Sequence, residues 1–277
     1  MVLNRVLVDG RYFETPMPDQ KRQEIRGQML ESWTRRRAAM LFLTARDPTL
    51  ETRNGEPVAI WTTSDERERT IKPFPNWKYV DVLFRLIDEC EGVLGIEKAR
   101  QVFATTSILG KSFHECVVEP VRIVLSKSTR DEASELLDVK IRQPYSRMPG
   151  WVRSAFPASD KPKDRIRFPG TNSVIQAVAQ NAAVRAIRGI SATRVIIDEA
   201  AFQGQLSAMF RAAMPMSASV IALTSADGNE LGGQSFVEMF DLDSREQHAP
   251  LHLPSADLED DGSSVNVSSG WPFQLDL

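Results

Sequence analysis

Short apolar runs alternate with helix-spaced apolar positions along most of this chain. Val93-Leu-Gly-Ile96, Val121-Arg-Ile-Val-Leu125, Val195-Ile-Ile197 and Val220-Ile-Ala-Leu-Thr224 are brief and mostly β-branched, so they predict strands. Between and around them, residues 105–118, 131–141 and 205–213 carry helical spacing, and a further short helix is expected to begin at Phe236. Arg165-Ile-Arg-Phe168 and the apolar run 173–179 flank Gly170 and predict a hairpin. Strands and helices in alternation argue an α/β fold: a three-layer α/β/α sandwich around a mainly parallel sheet.

The N-terminal quarter follows a different pattern. Residues 1–17 read as a short strand or irregular arm ending at Pro16 and Pro18. Residues 19–46 predict one helix, with Asp19 as its N-cap and Ile25, Met29, Leu30, Trp33, Met40 and Leu41 partly helix-spaced. Arg35, Arg36 and Arg37 read as a solvated basic face. Residues 47–70 are polar, with a turn at Asn54-Gly55 and a strand at Val58-Ala-Ile-Trp61. A rigid segment, Ile71-Lys-Pro-Phe-Pro-Asn-Trp77, leads into a helix over 79–90. At the other end, residues 254–270 are rich in Ser, Asp, Glu and Gly without periodicity. These changes divide the chain into an N-terminal helical arm or lid (1–70), a central domain (71–243) and an acidic, weakly ordered tail (244–277).

Composition narrows the function only slightly. The 277 residues are 42% hydrophobic and 26% charged, ordinary for a globular protein. A formal net charge of −3 gives no global basic footprint, but a local DNA-contacting surface remains compatible with it. Three His and two Cys leave little for a soft metal site, and Cys90 and Cys116 are expected to be buried thiols. No apolar run reaches the length of a membrane span, and the first residues lack a signal-peptide core. No membrane partner and a cytoplasmic location are therefore expected.

The chemistry concentrates at Thr193-Arg-Val-Ile-Ile-Asp-Glu-Ala-Ala-Phe202. A buried strand that ends in two carboxylates can hold Mg²⁺ through the first, Asp198, and activate water through the second, Glu199. An acidic helix start after a core strand is the plainer alternative, so a phosphate loop upstream decides the weight of the motif. Gly110-Lys111-Ser112 has the look of one, but Thr105 stands where the first glycine belongs. Too little helix would follow before Pro120, and Gly-Lys inside a helix is the better reading. Lys98-Ala-Arg-Gln-Val-Phe-Ala-Thr105 instead follows a predicted strand and opens a predicted helix.

That loop resembles the deviant Walker A segment of phage terminase large subunits. Ile71-Lys-Pro-Phe-Pro, Val121-Arg-Ile-Val-Leu-Ser-Lys-Ser-Thr, Phe168-Pro-Gly-Thr-Asn-Ser, Ala186-Ile-Arg-Gly-Ile-Ser and Leu223-Thr-Ser-Ala226 resemble other blocks of the same family, in the same order. The resemblance implies a P-loop NTPase of the RecA/ASCE-like kind that binds ATP and Mg²⁺. It places Lys98, Ala99, Arg100, Gln101, Val102, Phe103, Ala104 and Thr105 on the phosphates, with Arg100 in the charge role of the usual lysine. It assigns Mg²⁺ to Thr105 and Asp198, water activation to Glu199, and γ-phosphate sensing to Thr224 and Ser225. Phe74 would stack on the adenine or simply pack in the core. Arg188, beside Gly189, would swing to phosphate or form a surface salt bridge to Asp198 or Glu199. Phe103 occupies a place where glycine would meet the backbone angles more freely.

Double-stranded DNA, a portal protein, a small terminase subunit and a homo-oligomeric ring are the partners so implied. The implied task is translocation of viral DNA into a procapsid in a bacterial host cell. A nuclease is not expected from this chain, since the acidic run Glu259-Asp-Asp261 lies in the tail rather than on strands; truncation would explain this. The alternatives are an inactive prophage remnant and another DNA-dependent P-loop ATPase.

Overall fold

The computed structural model describes residues 12–35, 38–65, 70–98, 103–159, 161–182, 191–225, 236, 264–267 and 273–276. In chain order the elements are β1 (Phe13–Glu14), α1 (Asp19–Trp33), α2 (Ala39–Thr44), β2 (Arg46–Glu51), β3 (Pro57–Ala59), β4 (Thr62–Asp65), β5 (Thr70–Pro73), α3 (Lys78–Glu89), β6 (Gly92–Lys98), α4 (Ala104–Val118), β7 (Arg122–Lys127) and α5 (Arg130–Leu137). A π-helical stretch (Asp138–Arg142) runs on into α6 (Gln143–Arg147) and α7 (Gly150–Ala155). Then come β8 (Arg165–Phe168), β9 (Ser173–Ala179), β10 (Ala192–Ile197), a 3-10 turn (Ala200–Phe202), α8 (Leu206–Ala213), β11 (Ser217–Thr224), β12 (Ser264–Val267) and β13 (Phe273–Asp276).

The central sheet runs β12-β13-β6-β11-β10-β7-β9-β8. Its middle is parallel: β6 pairs β11, β11 pairs β10, β10 pairs β7 and β7 pairs β9, all in one direction. The hairpin expected about Gly170 forms, with β8 antiparallel to β9 at one edge. At the other edge, inside the segment expected to be an acidic tail, β12 and β13 pair antiparallel and β13 lies parallel to β6.

Strands buried on both faces need apolar side chains at successive positions, and the sequence supplies them. Ile123, Leu125, Ile196, Ile221 and Leu223 point into one core with α3, α4, α5 and α7. Val124, Val195, Ile197, Val220 and Ala222 point into a second core with α8. Two cores separated by one sheet make the three-layer sandwich that the alternating pattern predicts.

The single helix expected over 19–46 is instead two, α1 and α2. At 100° per residue, Trp33 and Phe42 would point to opposite sides of an unbroken helix. The break lets both enter one core, where their rings meet edge-to-face at 5.4 Å. Asp19 is not the N-cap: Pro18 takes that place, and Asp19 sits in the first turn bonded to Arg22. The polar stretch after α2 holds more strand than expected. It forms the β2–β3 hairpin around Asn54-Gly55, where Gly55 has φ +77°, and the β4–β5 pair. Among the described residues, no helix is long and apolar enough to cross a membrane. Cys90 and Cys116 are free thiols, the second fully buried.

Candidate active site

Because β6, β11, β10 and β7 run in parallel, their C-terminal tips lie along one edge of the sheet. That edge is where α/β folds hold ligands. β6 ends at Lys98, β7 at Lys127, β10 at Ile197 before Asp198 and Glu199, and β11 at Thr224. Register keeps these tips close: Ile197 lies opposite both Ser126 and Ala222, and Thr224 opposite Glu97.

The helix α4 opens directly onto this edge. Its N-cap is Phe103, held in the left-handed region at φ +63° and ψ +4°. The Phe103 carbonyl accepts the Ser107 backbone N–H and the Ser107 hydroxyl, both at 2.9 Å, which closes the first turn. Two residues into that turn, the Thr105 hydroxyl donates to Asp198 Oδ1 at 3.0 Å. Helix and strand therefore meet through one hydroxyl and one carboxylate, beside a helix N-terminus that favours negative charge.

Asp198 is 4% exposed. Burial pushes its carboxyl above the ordinary range, while Lys127, the Thr105 hydrogen bond and Lys98 oppose that rise. Its backbone is pinned from two sides. Its N–H donates to the Ser126 carbonyl at 3.0 Å, and its carbonyl accepts Gln203 Nε2 at 2.6 Å. Gln203 is fully buried and also accepts the Ser126 hydroxyl at 3.3 Å, tying the β10 tip to the β7 tip. Glu199 turns outward. Its φ of +55° and ψ of +46° are left-handed, and its side chain is about half exposed. Lys127 Nζ stands 3.0 Å from Glu199 Oε2 and 3.7 Å from Asp198 Oδ2. Burial works against the charge on Lys127, but Asp198 and Glu199 outweigh it and hold the ammonium above its ordinary range.

Thr224 is buried, and its hydroxyl accepts the Ala201 N–H at 3.2 Å and donates to the Ser225 carbonyl at 3.1 Å. The tip of β11 is thereby bonded to the turn that follows Glu199. Phe74 is 4% exposed and meets Phe103 edge-to-face at 5.4 Å. Trp77, 42% exposed, packs on Phe103 from another side at 5.6 Å and stacks on Tyr79. The structure thus gathers Lys98, Phe103, Ala104, Thr105, Asp198, Glu199, Thr224 and Ser225 at one edge, and puts Phe74 in the core behind Phe103. Ala99, Arg100, Gln101, Val102, Arg188 and Gly189 lie outside the described residues.

The rejected Gly110-Lys111-Ser112 sits in the interior of α4. Lys111 is buried there against Asp88 at 2.6 Å and Glu115 at 3.1 Å. Two residues of the edge escaped the sequence reading, Lys127 and Gln203. Lys127 ends a strand parallel to the one that delivers Asp198, a signal visible once strand order is known. Gln203 carries no motif.

Thr105 and Asp198 offer hard oxygen donors side by side. Among the described residues no group of three His, Cys, Asp or Glu converges on one point. That donor set fits Mg²⁺, which takes one or two protein oxygens and fills its shell with water and substrate phosphate.

No family model matches the chain, and no curated protein matches its sequence. Among solved structures it is similar to the large terminase ATPase domain of a Thermus phage. The two share 17% identity over 57% of this chain and 68% of that one, with a TM-score of 0.44. It is also similar to the large terminase of a thermophilic bacteriophage, at 13% identity over 61% of this chain and 44% of that one, with a TM-score of 0.40.

Proposed function

We propose that this chain is a P-loop ATPase of the terminase large-subunit kind, and that its site is the edge just described. The observation that carries the reading is the Thr105–Asp198 hydrogen bond. It joins the first turn of α4, the helix next in the chain after β6, to the acidic tip of a parallel strand. Phosphates would lie along Lys98–Thr105, against backbone N–H groups and the α4 N-terminus. Arg100 would neutralise their charge, with Gln101 shaping the loop and Ala99, Val102, Phe103 and Ala104 supplying backbone. Thr105 and Asp198 would hold Mg²⁺. Bound there, the ion would supply charge neutralisation for the phosphates.

Glu199 would orient a water and take its proton. The water oxygen forms a bond to the terminal phosphorus, the bond from that phosphorus to the bridging oxygen breaks, and ADP leaves with the electron pair. Thr224 and Ser225 would report the terminal phosphate to the turn after Glu199 through the Ala201 bond. Arg188 would add a cation to the phosphates. Phe74, behind Phe103, would reach the base only by way of that aromatic pair. The work driven would be translocation of double-stranded DNA into a procapsid, with portal protein, small terminase subunit and further copies of this chain as partners.

Mg-ATP titration and steady-state turnover of the wild type against Glu199→Gln test the reading. The variant should bind Mg-ATP as the wild type does and lose about 10²- to 10⁴-fold in turnover. Turnover unchanged by the substitution, or a wild type that does not bind Mg-ATP, would overturn it.

A further inference from the structure

We propose that an arginine-lined hollow at the starts of β7 and β9, on the sheet face turned away from α4, binds a small phosphate-bearing molecule. Strand geometry explains why the cations gather there. Side chains alternate between the two faces of a strand, and Ile123, Ile166, Phe168 and Ile175 enter the core shared with α4. Arg122, Arg165, Arg167, Val174 and Gln176 therefore face the other way. Register sets them in rows: Arg122 and Arg167 both lie opposite Val174, and Arg165 lies opposite Gln176. These five positions are exposed or partly exposed. With Asn172 they line a hollow of about 490 Å³. The edge assigned to ATP lies at the opposite end of β7, where that strand finishes at Lys127. The two sites are separate, and this one does not rest on the ATPase reading.

Three guanidinium groups share this hollow, and among the described residues no carboxylate lines it. Like charges held together repel, so an anion seated among them relieves that repulsion as well as bonding to each. Arg122 and Arg167 make no side-chain hydrogen bond or ion pair with a described residue. Arg165 Nε is buried without a hydrogen-bond partner. Asp164 Oδ1 stands 3.6 Å from it, and Asp164 Oδ2 is taken by Arg130 at 3.0 Å. A phosphate monoester carries nearly two negative charges and three acceptor oxygens, which guanidinium forks engage bidentately. Asn172 and Gln176 can donate amide N–H to oxygens the arginines leave, and Val174 gives the body of the ligand an apolar floor. The volume falls within the roughly 300–1,000 Å³ usual for small-molecule sites. Cations that converge on one hollow suit a compact anion, whereas a nucleic-acid backbone is tracked by cations strung along a groove.

Phenyl phosphate, a monoester with an apolar body, is the probe. Titration calorimetry of the full chain should show it binding, and added chloride should weaken the binding. The arginine variants then locate it. Arg167→Gln keeps a polar side chain without the charge and should weaken binding roughly ten- to a hundredfold, and Arg122→Gln should do the same. Arg167→Lys, which keeps the charge but loses the fork, should fall between Arg167→Gln and the wild type. A thermal melt reports whether each variant folds, and either glutamine variant alone suffices if the other does not. No binding at millimolar phenyl phosphate overturns the site. So does binding that the folded variants retain at wild-type strength, since the probe then sits elsewhere. Duplex DNA held through Arg122 and Arg167 while phenyl phosphate is refused would overturn it too, in favour of a nucleic-acid surface.

Discussion

Phe103 shows how one side chain can set the character of the site. A non-glycine residue in the left-handed region costs about 1–2 kcal/mol, and Phe103 accepts that cost at the mouth of α4. Its ring is held edge-on by Phe74 and Trp77, and each such contact is worth roughly 0.5–1.5 kcal/mol. Strain and packing can be separated by two substitutions. Phe103→Ala and Phe103→Gly both lose the ring, but only alanine keeps a Cβ in the left-handed backbone. Phe103→Gly should therefore be more stable than Phe103→Ala by about 1 kcal/mol in denaturant melts; equal stability would mean that the turn relaxes without the ring. The need for glycine-like angles at this position was legible in the sequence, since the loop must turn from strand to helix within a few residues. The Lys127–Glu199 ion pair was not, because the two residues are brought together only by the adjacency of β7 and β10.

The helix α4 is best understood as an element clamped at both ends. Its N-terminal turn meets the β10 tip through Thr105 and Asp198. Its C-terminal half meets the start of the same strand through Glu115 and Arg194, and Arg194 also reaches the Ser219 hydroxyl of β11 at 3.2 Å. Lys111, almost fully buried, joins this network to Asp88 of α3. Removing one member of a buried ion cluster leaves its partners uncompensated and costs about 3–5 kcal/mol. Lys111→Met should lose a stability of that order in chemical denaturation, because Asp88 and Glu115 remain behind without it. A loss under 1 kcal/mol would show that the carboxylates reach water. Gly110-Lys111-Ser112 mimics a phosphate loop in the sequence, and Thr105 at the place of its first glycine, with the short helix left before Pro120, argued against it. Gly110 has a packing reason: a Cβ there would stand 3.2 Å from the Leu43 side chain. Helix α1 was legible from its spacing, but its end at Trp33 was not. That end is set by the need to bring Trp33 and Phe42 into one core, a constraint no local pattern carries.

At the scale of the whole molecule, the first helices and the sheet share a core. Trp33, Phe42 and Trp61 pack with Phe113 and the α4 face that covers β6 and β7. The alternation of strands and helices from residue 92 onward predicted the layers correctly, because two-sided burial leaves its mark on every strand. The order of the strands had to be seen. A single histidine reports on the junction between the N-terminal helices and the sheet. His114 of α4 donates its Nε2–H to the Trp33 carbonyl at 2.6 Å, since a carbonyl can only accept. Burial holds its pKa below the ordinary histidine value, against the Trp33 bond, and Lys111 pushes it further down while Glu115 and Asp88 pull it up. The unfolded chain therefore takes up a proton near the ordinary value, whereas the folded protein does so only at lower pH. Folding stability falls as pH drops from the unfolded value of about 6.5 towards the folded one, by up to about 1.4 kcal/mol per pH unit. In urea melts between pH 7.5 and 5.5, His114→Gln should lose this part of the slope, because glutamine keeps a donor for Trp33 but takes up no proton. The same slope in both proteins would mean that His114 protonates as readily folded as unfolded, which would require the contact between α1 and α4 to open to water.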